Sequence, residues 1–220
     1  MQHDEVSIGS AGLGGDLLLP WQARGLVVFA HGSGSSRRSA RDAFVCGSLH
    51  RRALATLRFD LLAEDEATRR AKVFDIALLC DRLLQAIDWC GTRSDLARMP
   101  LGLFGASTGA AAALAAAADR PLVVHAVVSR GGRPDLAMPS LARVRAPTLL
   151  VVGADDTEVL ALNRRAFQEL RCEKRLAVVP GATHLFEERG TLRQVAELAG
   201  DWFERRLAGG SDASHPPRPE

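Results

Sequence analysis

Hydrophobic residues in this chain follow two rhythms. Near the start, Val6 and Ile8, and then Leu17 and Leu19, alternate with polar or small residues on either side of the run SAGLGG. A period of two around a glycine-rich centre predicts two short strands joined by a turn, with Pro20 closing the pair. Beyond Pro20 the alternation gives way to short, almost continuously apolar runs. They occupy residues 25–30 (GLVVFA), 54–62 (LATLRFDLL), the stretch opening at Leu101, 122–129, 147–152 and, more briefly, 175–179. Runs of this kind predict strands covered on both faces, as in a parallel sheet. Between them the pattern predicts helices at about 39–53, 72–90, 110–118, 159–172 and 192–207. In the second of these, Val73, Ile76, Ala77, Leu79, Leu83, Leu84 and Ile87 approximate one helical stripe, with Gly91 as its C-cap. The third is nearly all alanine, the best helix former and a side chain small enough to let a helix lie close against a sheet.

Strands alternating with helices after an opening hairpin predict an α/β fold: a mostly parallel central sheet, an N-terminal antiparallel hairpin and helices on both faces. At 220 residues the chain is expected to form one domain over residues 1–209, with the polar, proline-rich 210–220 as a disordered tail. Composition changes this picture little. A charged fraction of 25% and a net charge of +2 give no strong pull toward nucleic acid or an acidic membrane surface. Four cysteines without a C-x-x-C spacing fit a reduced, cytoplasmic setting, and the N-terminus carries no signal-peptide pattern. No metal-ligand cluster or cofactor fingerprint stands out, so neither a metal nor a cofactor is expected.

Chemistry is expected at the carboxyl ends of parallel strands. Those ends read His31-Gly32-Ser33, Asp60, Ser107, Ser129-Arg130, Asp155-Asp156 and His184. The central one, Gly105-Ala106-Ser107-Thr108-Gly109, is a G-x-S-x-G pattern between a strand and a helix, which presents the serine hydroxyl at a sharp corner. A serine needs a base to take its proton and an acid to orient that base. Ser107, then Asp155 or Asp156, then His184 supplies them in the chain order of this kind of fold. The amides of Thr108 and Ser33 are the candidate oxyanion hole, with Gly34 keeping the second loop thin and His31 beside it. Each residue also has a plainer reading. The glycine pattern arises by chance in alanine-rich chains, the aspartates can cap the next helix, and the histidine can be an ordinary loop residue. Their joint occurrence, each just after an apolar strand, favours catalysis.

The residues resemble the α/β-hydrolase superfamily, and within it the small dienelactone-hydrolase-like enzymes. The resemblance runs from Val6 to Leu207 and rests on AHGSGSSR, FGASTGAAAAL, VSRGGRPDLA, TLLVVGADD and VPGATHLF. It implies Asp156 as the acid, with Asp155 as the alternative, and His184 as the base. Dienelactone hydrolase proper has a cysteine where Ser107 stands, so the resemblance implies the scaffold and not a lactone substrate. Some chains of this kind also carry a phosphoribosyltransferase domain, which is not expected within these residues. The short, proline-rich connection 129–146 leaves no room for a cap domain and predicts an open, shallow site. Arg130 and Arg133 either line its entrance and favour an acidic group, with Arg130 a substrate contact alongside His31 and Gly34, or are solvated surface arginines. Arg37, Arg38 and Arg41 either bind an anion near a helix start or face water. The expected activity is that of a carboxylesterase-like serine hydrolase acting on small-molecule esters. Thioesterase, amidase and peptidase chemistry on the same residues stay open, as do a non-catalytic nucleotide- or partner-binding domain and a homodimer.

Overall fold

The computed structural model describes residues 1–207, so the expected tail at 210–220 lies outside the described residues. Eight strands form one sheet: β1 (Gln2–Ile8), β2 (Leu13–Leu19), β3 (Gly25–Ala30), β4 (Leu54–Phe59), β5 (Leu101–Ala106), β6 (Val124–Arg130), β7 (Thr148–Gly153) and β8 (Lys174–Val179). Their order is β1-β2-β4-β3-β5-β6-β7-β8. The opening hairpin pairs Gln2 with Leu19 and Ile8 with Leu13, and β2 runs antiparallel to β4. All later pairings are parallel. The change from alternating to continuous hydrophobicity thus marks the step from hairpin to doubly covered sheet. Every residue of β3, β5 and β7 is buried.

The helices are α1 (Ala40–His50), α2 (Glu64–Ala67), α3 (Arg70–Val73), α4 (Ile76–Thr92), α5 (Thr108–Asp119), α6 (Met138–Leu141), α7 (Thr157–Glu169) and α8 (Thr191–Leu207), with a 3-10 turn at Pro134–Ala137. Alternate residues of the central strands face two different cores. On β3, Val27 and Phe29 pack with Val45 and Leu49 of α1 and with Trp202 and Phe203 of α8. Leu26, Val28 and Ala30 face the opposite side, where α4, α5, α6 and α7 contribute. The alanine-rich helix is α5, and Ala110 to Leu114 and Ala116 to Ala118 are all buried. Its small side chains let it serve as an inner layer between the sheet and α4.

Local differences from the sequence reading have simple causes. The helix expected over 72–90 is two pieces, because Asp75 acts as an N-cap: its carboxylate accepts the Leu78 N–H at 3.0 Å and starts α4 afresh. Gly91 is not the C-cap; it lies inside the last turn of α4, which runs on to Thr92. The strand expected over 54–62 stops at Phe59, since the Leu61 N–H turns to a side chain rather than to a neighbouring strand. No cap domain interrupts the sheet: the connection between β6 and β7 is filled by the 3-10 turn and α6, packed on α5 and α7. Among the described residues no helix is long and apolar enough to cross a membrane.

Candidate active site

Where β5 passes into α5, Ser107 sits at φ 50°, ψ −120°, a region that costs a residue with a β-carbon about 1–3 kcal/mol. The corner is sharp enough that its flanking residues cannot carry side chains. A β-carbon at Gly105 would lie 2.4 Å from the Ala110 Cα, and one at Gly109 would lie 2.1 Å from the Ala30 carbonyl oxygen. The two glycines of the G-x-S-x-G pattern are therefore steric requirements of the turn. The Ser107 N–H donates to the Arg130 carbonyl at 3.3 Å, and the Ser107 carbonyl accepts the Arg133 N–H at 3.0 Å. These bonds tie the corner to the end of β6. Ser107 Oγ is partly exposed and makes no hydrogen bond among the described residues. A long or absent nucleophile–base bond is common before substrate binds.

Asp156 ends the turn after β7 and occupies the N-cap position of α7, yet its side chain makes no capping bond. Its Oδ2 instead accepts from His184 Nδ1 at 2.7 Å, across 28 residues of sequence. A carboxylate only accepts, so Nδ1 carries the hydrogen and Nε2 is left as an acceptor. The carboxylate of Asp156 is largely shielded, whereas Asp155 is exposed and joins the turn through its backbone, its N–H donating to the Ala182 carbonyl at 3.0 Å. Of the two adjacent aspartates, the geometry brings Asp156 to the histidine. His184 packs over Gly131, the residue after the carbonyl that holds the Ser107 N–H.

The loop after β3 runs directly against the corner: a β-carbon at Gly32 would stand 2.9 Å from the Ser107 Cβ. The amides of Ser33 and Thr108 have no backbone partner among the described loop hydrogen bonds. Both residues line a cleft of about 920 Å³ that extends past Gly34 to the β1–β2 turn, with Leu61, Leu62, Val73 and Leu79 in its wall. No cap covers this cleft. Ser107 stands beside this cleft rather than in its wall.

Several residues assigned from sequence lie elsewhere than expected. Arg130 does not line an entrance. It is 7% exposed and faces Asp42 of α1, itself 3% exposed, at 3.4 Å. Burial pushes the Asp42 carboxyl above its ordinary value, against the pull of Arg130, and lowers Arg130. Arg133 is engaged by Asp135 at 2.8 Å. Arg37 is held by Asp60, which accepts its N–H at 2.8 Å and also its guanidinium. His31 lines the cleft, but it is largely buried and both ring nitrogens are engaged by backbone groups. The pairing of Asp42 with Arg130 was missed because nothing local announces it: Asp42 reads as an ordinary first-turn acid of a helix, and its partner is 88 residues away.

A crystal structure of a dienelactone hydrolase from Anabaena variabilis superposes with a TM-score of 0.89 and is 50% identical, covering 94% of this chain and 98% of that one. The chain belongs to the dienelactone hydrolase family. It accordingly has the α/β-hydrolase fold. Lower-identity structures share the fold, among them an esterase domain from a Rhodothermus marinus protein at 22% identity and TM-score 0.76, covering 94% of this chain and 100% of that one. No family model matches the chain. Two curated Mycobacterium tuberculosis sequences, provisionally named phosphoribosyl transferases, are 55% identical over 211 residues, 95% of this chain. This dienelactone hydrolase family member spans about half the length of those relatives, 48%.

Cysteine is unsuited to nucleophilic work in this family member. Burial is the largest influence on every thiol, pushing Cys46 and Cys90 up to about 12, Cys80 up to about 11, and Cys172 upward. The thiolate is the reactive form, so none is appreciably present at neutral pH. Iodoacetamide at pH 7.5 is expected to leave the native protein unmodified and fully active, while the urea-unfolded chain takes up four equivalents, one per cysteine, by mass spectrometry. Activity loss that tracks alkylation of the native protein would place a thiol in the chemistry.

Proposed function

We propose that this chain is a serine hydrolase that cleaves small esters through an acyl-enzyme intermediate, with Ser107 as nucleophile, His184 as base and Asp156 as the acid that orients it. The observation that carries the reading is the strained φ of 50° at Ser107, held at a strand–helix corner where neither flanking position admits a side chain. Ser107 Oγ attacks the carbonyl carbon and its proton passes to His184 Nε2. Asp156, bonded to Nδ1 at 2.7 Å, fixes the tautomer and stabilises the imidazolium. The negative charge that develops on the carbonyl oxygen is held by the Thr108 N–H, at the start of a buried helix, and by the Ser33 N–H. His184 returns the proton to the leaving alcohol. Water, deprotonated by His184, then attacks the acyl-enzyme and releases the acid.

The cleft beside Ser107, of about 920 Å³, lies in the range of small-molecule sites, which supports a small-molecule ester as substrate. The name of the Mycobacterium tuberculosis relatives belongs to proteins about twice as long, and we read no phosphoribosyl transfer into this chain. A fluorophosphonate decides the reading. One equivalent should attach to Ser107 in the wild type, and none to Ser107→Ala. Absence of labelling on the folded wild type, or undiminished labelling of the variant, would overturn it.

A further inference from the structure

His31 occupies a position at the carboxyl end of β3 that suits a substrate contact, but its ring is spoken for on both sides. Nδ1 lies 3.0 Å from the Gly32 carbonyl oxygen. Nε2 lies 3.0 Å from the Leu61 backbone nitrogen. A carbonyl can only accept and an amide N–H can only donate, so the two contacts together leave one arrangement. Nδ1 carries the hydrogen and donates to Gly32, while Nε2 is bare and accepts from Leu61. His31 is 9% exposed, and Leu61, which supplies the second partner, is 1% exposed. The imidazole therefore bridges the loop after β3 to a rigid point at the end of β4. Six residues further on, the same loop is fastened to the same strand end by Asp60, which accepts the Arg37 N–H at 2.8 Å.

The Gly32 carbonyl belongs to the same planar group as the Ser33 N–H. In a trans peptide the two point in opposite directions, and fixing one fixes the other. No cis peptide occurs among the described residues. Gly32 is also where the loop touches the nucleophile corner, since a β-carbon there would meet the Ser107 Cβ at 2.9 Å. We infer that His31 is the positioning residue of the oxyanion hole: by donating from Nδ1 to the Gly32 carbonyl, with its tautomer set by the Leu61 N–H, it holds the Gly32–Ser33 peptide plane so that the Ser33 amide aims at the oxygen of the reacting carbonyl. This inference rests on the serine-hydrolase reading. It gives the buried histidine a part in the reaction that does not depend on contact with substrate. It also accounts for a histidine rather than a hydrophobic residue at the end of an otherwise apolar strand. The position needs a donor near its base and an acceptor at its tip.

Two substitutions separate the two halves of the ring. In His31→Asn the side-chain amide NH2 reaches the place of Nδ1 and can donate to Gly32, but nothing reaches Leu61. In His31→Gln the amide oxygen reaches the place of Nε2 and keeps the Leu61 bond, but the side-chain donor to the Gly32 carbonyl is lost, leaving that oxygen only the Ser35 N–H at 3.2 Å. With p-nitrophenyl acetate, His31→Gln is expected to lower kcat by about 10²-fold, the scale of one lost oxyanion donor, with KM changed by less than about threefold. Benzeneboronic acid, whose tetrahedral adduct places an oxygen in the same hole, should lose affinity for this variant in parallel with kcat. His31→Asn should recover about tenfold or more of the lost kcat and of the lost inhibitor affinity, although it breaks the Leu61 tie. Thermal unfolding of both variants accompanies the kinetics. If His31→Asn is as slow as His31→Gln, or if kcat follows the melting temperature across the pair, the ring is only a loop fastener and the inference is overturned. Unchanged kcat in His31→Gln overturns it equally. Failure of the underlying reading has a different signature, because then the wild type itself neither hydrolyses the ester nor binds the boronic acid, and the role of His31 falls with it.

Discussion

Ser107→Ala is expected to lower kcat for an activated ester by about 10⁴–10⁶-fold while leaving the fold unchanged. The separation of the two effects follows from the geometry. Alanine keeps the β-carbon, so the contact that Gly32 makes with the corner is retained and the strain at φ 50° is neither added nor relieved. The hydroxyl removed makes no hydrogen bond among the described residues, so no buried partner is orphaned. The oxyanion amides remain, and they account for whatever rate enhancement over water survives. Asp156→Asn is a finer version of the same test. The Nδ1–Asp156 bond of 2.7 Å sets which nitrogen of His184 is the base, and an amide in place of the carboxylate can donate to the ring and reverse that choice. A fall of about 10⁴-fold in kcat is expected, with KM little changed. Circular dichroism and thermal unfolding of Ser107→Ala should overlay the wild type. Retention of more than about a tenth of wild-type kcat by Ser107→Ala would remove the serine from the mechanism.

The site was readable from the chain because a parallel sheet converts order in sequence into position along one edge. Each apolar run ends at the same side of the sheet, so Ser107, Asp156 and His184 all lie along that edge. The sequence could not say which of two neighbouring aspartates reaches the histidine. That depends on the turn into α7, where Asp156 takes the N-cap position but directs its carboxylate away from the helix amides. It also could not assign His31 and Arg130. Both stand at strand ends and carry polar groups, and at that resolution a residue that touches substrate looks like one that braces the loop behind it. Their partners, Leu61 and Asp42, are brought to them by strand order and helix packing across 30 and 88 residues. No periodicity encodes such pairings. The broken helix at 74–75 shows the reverse case, a strong apolar stripe overriding attention to a local aspartate cap.

The buried pair of Asp42 and Arg130 leads to the largest expected change in stability. Asp42→Asn leaves a guanidinium that cannot give up its proton in a site where it is 7% exposed, and a loss of about 3–5 kcal/mol in unfolding free energy is expected from urea titration. Arg130→Met leaves the carboxylate instead, and a carboxylate can escape by protonation. Burial already holds the Asp42 carboxyl above its ordinary value, and loss of Arg130 removes the strongest influence lowering it. The sign of the pH effect follows. A carboxyl whose folded pKa is raised binds its proton more tightly in the native state than in the unfolded chain. Its favourable contribution is complete below the unfolded value of about 3.8 and is lost as pH rises through the folded value. Arg130→Met should therefore be most destabilised at neutral pH and recover part of the deficit as pH is lowered into the carboxylate range, while Asp42→Asn shows no such recovery. Replacing both residues, as Asp42→Leu with Arg130→Met, should restore most of the stability lost in either single variant, because the pair's attraction is set against the burial of two charges. A double variant less stable than both single ones would mean that the pair, rather than the packing around it, holds α1 against the end of β6.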